Sequence, residues 1–82
     1  MKVIIADDSA VIRAILDQNL TKYPDVEIIA SVSNGRRAVQ AARGEHIDAV
    51  ISDIDMPEMT GLEAAKILSS ELHVPVLILS EN

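Results

Sequence analysis

At 82 residues the chain has room for one small domain, and an apolar share of 49% excludes general disorder. A net charge of −6, with basic residues scattered apart from Arg36-Arg37, argues against an autonomous nucleic-acid binder, because phosphate contacts need clustered cations. Cysteine is absent, which excludes disulfides and thiolate metal sites, and Tyr23 is the only aromatic residue, so the core must be built from Ile, Val, Leu, Ala and Met.

No apolar run is long enough to span a bilayer, and the N-terminal MKVIIADDSA lacks the long apolar centre of a signal peptide. A cytoplasmic setting is the expectation. Residues 2–6, KVIIA, form a β-branched apolar run that reads as a strand buried on both faces. Residues 9–22 place Ile12, Ile15, Leu16 and Leu20 at the spacing of one helix face, with Ser9 at its start and Tyr23 expected to pack at its end. After Pro24 and Asp25, VEIIASV reads as a second strand. Asn34 is the expected N-cap of a helix through about Arg43, stopped by Gly44.

IDAVISD, residues 47–53, is the third expected strand. Thr60 and Glu63 then form a Thr-x-x-Glu capping box for a helix with Leu62, Ala65, Leu68 and Leu72 on one side. Pro75 opens a fourth strand, VLIL, that runs to Ser80. The order β-α-β-α-β-α-β implies a parallel sheet with right-handed crossovers.

In such a sheet the carboxyl ends of the strands share one rim, where ligands bind. The first strand ends in Asp7-Asp8, the third in Asp53 with Asp55 in the next turn, and the fourth in Ser80. Singly, each is an ordinary loop residue. Together on one rim, the carboxylates repel one another, raise at least one pKa and call for a cation. Oxygen donors without Cys or clustered His favour Mg²⁺ over zinc. His46 and His73 are expected to be exposed, Arg36-Arg37 to lie on a solvated helix face, and Met56 and Met59 to pack beside the site.

The stretches VIIADDSAVIR, DIDMPEMTGLEA and PVLILS occur in this order. With them the sequence resembles the receiver domain of two-component response regulators, the CheY-like superfamily, and most closely the receivers of chemotaxis regulators, including the methylesterase type. The resemblance implies a flavodoxin-like doubly wound fold, here the N-terminal part (residues 1–82) of a single receiver domain, with four strands and three helices and without the family's fifth strand and last two helices. It implies that Asp53 is the phosphoacceptor and Ser80 the switch hydroxyl. It implies that Mg²⁺ is bound by Asp8 directly, by Asp7 chiefly through water, by Asp53, and by the backbone carbonyl of Asp55. The phosphodonor would be a sensor histidine kinase. The chain would turn over nothing beyond its own aspartyl phosphate, and neither nucleic acid nor membrane would be a partner.

The family's lysine after the fifth strand has no counterpart among Lys2, Lys22 and Lys66. The favoured expectation is a fragment of a longer regulator whose uncharged fourth strand, left as a sheet edge, drives self-association. Two other functions compete. One is a non-phosphorylating interaction or oligomerisation module. The other is a haloacid dehalogenase-like phosphatase, suggested by the Asp-x-Asp of DIDM. In that class the motif sits on the first strand, and Pro57 occupies the place of its usual Thr or Val.

Overall fold

Helix and strand alternate along the chain in the expected order: β1 (Lys2–Ala6), α1 (Ala10–Leu20), β2 (Glu27–Val32), α2 (Gly35–Arg43), β3 (Ala49–Asp53), α3 (Gly61–Ser70) and β4 (Val76–Leu79). The structure, a computed structural model, describes residues 1–53 and 61–79. Expectations for Asp55, Met56, Pro57, Met59, Thr60 and Ser80 fall outside the described residues. All strand pairs are parallel, in the order β2-β1-β3-β4. That order follows the flavodoxin-like doubly wound arrangement.

Each helix start has a local cause. Ser9 is extended, and its Oγ accepts the Ile12 N–H at 3.3 Å. Asn34 is extended and buried, and its Oδ1 accepts the Arg37 N–H at 2.8 Å. These side chains satisfy donors that the first turn leaves without a helical partner. Helix α2 ends at Gly44 in a right-handed conformation, φ −82°, so glycine's special freedom is not used there. Among the described residues the left-handed one is instead His73, φ 55°, in the turn after α3.

Strand alternation divides the sheet's side chains between two faces. On one face Ile4 and Ala6 of β1 and Val50 of β3 pack with Ala38, Val39 and Ala42 of α2 and with Ala64 and Leu68 of α3. Complete burial of Ile4, Leu68 and their like contributes about 1.5–3 kcal/mol per side chain. Val3 and Ile5 point to the other face and are equally buried. On that face α1 packs on β1 and β2.

Three expectations about side chains change. Tyr23 is exposed and does not pack at the helix end. Ile15 is also exposed, while Ile12, Leu16 and Leu20 are half-buried. In α3 the core side is Ala64, Ile67 and Leu68 with Leu72 beyond it, and Ala65 is only half-buried. Apolar spacing alone tolerates such a rotation of the helix, because alanine and isoleucine fit several sectors of it. None of the described helices is long and apolar enough to cross a membrane.

Candidate metal centre

β1 and β3 are adjacent and in register, with Ile5 opposite Ile51 and Ala6 opposite Ser52. One residue further on, Asp7 directly follows β1 beside Asp53, the last residue of β3, which is still in register with Leu79 of β4. Here β1 connects onward to a strand on one side while β3 lies on the other, which is the switch point where doubly wound sheets open a crevice. The sheet itself holds Asp7 in place, since its N–H donates to the Val32 carbonyl at 3.0 Å. Its carboxylate Oδ1 accepts the N–H of Ser9 at 2.8 Å, a two-residue Asx turn that leads directly into the α1 cap.

Asp8 follows in the turn. Carboxylate oxygens of Asp7, Asp8 and Asp53 lie within 4.8 Å of one another. Asp7 is buried, Asp53 half-buried and Asp8 exposed. Burial, above all, raises the Asp7 carboxyl pKa; the Ser9 hydrogen bond opposes this, and the charges of Asp53 and Asp8 add to it. Several cations are engaged elsewhere. Lys2 faces Glu45 at 3.7 Å, Arg43 faces Glu71 at 3.1 Å, and Arg13 Nη1 donates to the Ser31 carbonyl at 3.4 Å.

The donor set fits a small hard cation. Oxygens sharing one octahedral Mg²⁺ at about 2.1 Å stand about 3–4 Å apart. The observed cluster lies within reach of that spacing, directly or through water, and its all-oxygen chemistry disfavours zinc. Asp7, Asp8 and Asp53 are thus brought together as the sequence suggests, while Asp55 and Ser80 lie outside the described residues. Ser9 was read from sequence only as a helix start. Its second role, anchoring the Asp7 carboxylate, was recoverable from the Asp-x-Ser spacing of an Asx turn. His46 is exposed as expected, but its Nε2 lies 3.3 Å from Asp48 Oδ1, at the opposite end of the sheet.

Comparison with known proteins bears on the whole chain. It is 39% identical over 80 residues to a protein-glutamate methylesterase/protein-glutamine glutaminase of Methanosarcina acetivorans, a match covering 98% of this chain and 23% of that protein. The chain therefore spans about a quarter of the length of such curated relatives. The response regulator domain of Thermotoga maritima CheB superposes with a TM-score of 0.90 at 29% identity, over 95% of this chain and 58% of that one. A chain in the structure of the CheA3 P1 domain in complex with CheY6 from R. sphaeroides superposes with a TM-score of 0.84 at 27% identity, over 99% of this chain and 64% of that one. The model of the response regulator receiver domain matches residues 3–82. This chain belongs to the response regulator receiver domain family of two-component systems.

Proposed function

We propose that the chain is a phosphoacceptor, modified on Asp53 by the phosphohistidine of a sensor histidine kinase in the presence of Mg²⁺. The observation that supports this reading most is the convergence of Asp7, Asp8 and Asp53 at the β1/β3 switch point. An Asp53 carboxylate oxygen forms the new bond to phosphorus as the phosphorus–nitrogen bond breaks, and the electron pair of that bond returns to the imidazole. Asp7 and Asp8 are the further oxygen donors for the ion, and the Ser9 N–H orients Asp7. When bound, a divalent ion neutralises charge between an anionic carboxylate and an anionic phosphoryl group. The backbone carbonyl of Asp55 and the hydroxyl of Ser80 complete the assignment, as a metal ligand and as the group that responds to the phosphoryl oxygens.

The phosphodonor is proposed by analogy with the neighbour whose structure contains a CheA3 P1 domain, and a chemotaxis setting by analogy with the methylesterase relatives. In this reading residues 1–82 are the N-terminal part of one receiver domain, cytoplasmic, without an activity on external substrates. Incubation with Mg²⁺ and acetyl phosphate, followed by mass spectrometry, tests it. One acid-labile phosphoryl group is expected, and Asp53→Asn should abolish it. Mg²⁺ binding without any adduct would instead favour the non-phosphorylating module, and turnover of phosphate monoesters the phosphatase.

A further inference from the structure

Among the described residues the buried polar side chains are Asp7, Asn34 and Ser52. Asp7 belongs to the acidic cluster and Asn34 caps α2. Ser52 immediately precedes Asp53 and is 1% exposed. It lies opposite Ala6 of β1 and Ile78 of β4, two residues after Val50, and so stands on the sheet face covered by α2 and α3. A hydroxyl buried beside that apolar core is costly unless it is hydrogen-bonded. The Ser52 hydroxyl donates to the Asp53 carbonyl at 2.9 Å.

This bond is not part of the strand ladder. A carbonyl within a strand lies in the plane of the sheet and points at the neighbouring strand, whereas a side chain stands on a face. For Ser52 Oγ to reach it, the Asp53 carbonyl must lean out of the plane toward α2 and α3. The torsion that sets its direction is ψ of Asp53. Side-chain rotamers depend on the backbone torsions of their own residue, so whatever fixes ψ also restricts χ1 of Asp53. Alternation puts the Asp53 side chain on the side opposite Ser52, as Asp7 lies opposite Ala6. The hydroxyl thus works from the buried side, while the carboxylate it governs joins Asp7 and Asp8. β3 has a neighbouring strand on each side, β1 and β4, so the bond does not depend on what lies beyond the sheet edges.

We propose that Ser52 is a positioning residue for Asp53: its buried hydroxyl holds the Asp53 carbonyl and so selects the rotamer in which the carboxylate faces Asp7 and Asp8. The role rests on the reading of Asp53 as metal ligand and phosphoacceptor, and Ser52 acts only through Asp53. A serine present merely to fill space would be replaceable by alanine, which is apolar and needs no partner.

Mg²⁺ titration calorimetry of the 82-residue chain tests this, with Ser52→Ala, Ser52→Thr and Ser52→Cys beside the unsubstituted protein. Ser52→Ala should weaken Mg²⁺ binding about tenfold, the low end for groups that orient a metal ligand, and slow phosphorylation by acetyl phosphate severalfold at saturating Mg²⁺. Ser52→Thr keeps the hydroxyl and should bind Mg²⁺ nearly as the unsubstituted chain does. Ser52→Cys, a weak donor of similar size, should fall between. A packing role would instead rank the variants by side-chain volume. Melting curves of the metal-free chains separate loss of fold from loss of positioning. Unchanged Mg²⁺ affinity in Ser52→Ala overturns the proposal, and so does a Ser52→Thr chain no better than Ser52→Ala. If the unsubstituted chain binds Mg²⁺ but forms no adduct, the phosphoacceptor reading of Asp53 fails, while the Mg²⁺ affinities still decide the role of Ser52.

Discussion

The Oδ1 atom of Asp7 accepts the N–H of Ser9 at 2.8 Å, so the buried carboxylate of the site is anchored by the residue that caps α1. The anchor favours the charged form, yet burial and the charges of Asp53 and Asp8 prevail and raise the pKa. The folded state therefore holds the Asp7 proton more tightly than the unfolded state. The corresponding stability is present below the unfolded pKa and is lost as pH rises through the raised folded value. At neutral pH, Asp7→Asn should raise the melting temperature of the metal-free chain by a few degrees and weaken Mg²⁺ binding about tenfold or more. Thermal melts with a chelator and with Mg²⁺ check both signs. A lower melting temperature without metal would contradict the electrostatic account.

The two helix caps should differ in value. Asn34 is buried and accepts at 2.8 Å, whereas Ser9 is half-buried and its Oγ accepts at 3.3 Å. Asn34→Ala should cost about 1–2 kcal/mol and Ser9→Ala about 0.5–1 kcal/mol in urea unfolding. Equal costs would show that burial of the cap does not matter here.

Glycine and histidine occupy each other's ordinary places at the two helix ends. His73 is left-handed at φ 55°, while Gly44 is right-handed, and a Cβ there would meet only the Ala41 carbonyl oxygen, at 3.8 Å. Gly44→Ala should stabilise by about 0.4–1 kcal/mol through the unfolded chain. His73→Gly should stabilise by a similar amount, roughly 0.5–1 kcal/mol, through relief of the left-handed conformation. Denaturant midpoints of the single and double variants check these values, and the two sites should add.

At the amino end of the sheet, Asp48 Oδ2 accepts the Lys2 N–H at 2.7 Å and the Asp48 N–H donates to the Lys2 carbonyl at 2.8 Å. The first of these bonds, aided by His46, lowers the Asp48 pKa. Its contribution is present above the unfolded pKa of 3.8 and disappears as pH falls through the folded value. Asp48→Asn should therefore flatten the loss of stability below about pH 4, the ordinary carboxylate range. Unfolding midpoints from neutral to acid pH measure the effect. An unchanged acid limb would mean that other carboxylates govern it.

Much of the site was legible in the chain because parallel strands make position along the sequence nearly equivalent to position along the sheet. Strand ends at Ala6 and Asp53 put their flanking carboxylates on one rim whatever the details of packing. The anchoring of Asp7 by the Val32 carbonyl was harder to see, since a backbone–backbone hydrogen bond leaves little trace in residue type. Helix rotation was harder still. Ile15 and Ala65 fit an apolar stripe on spacing alone, yet neither is buried.

By itself, the sequence determined the alternation of strands and helices, the parallel sheet and the acidic rim. These follow from local periodicity, capping residues and chain direction. Tertiary structure alone decided which strands are neighbours, and therefore that the carboxylates of Asp7 and Asp53 come together at one rim. It also decided that α1 packs on β1 and β2 and leaves Leu77 of β4 bare on the same face. Burial belongs to pairs of surfaces, and a residue's own identity does not say which surface will meet it.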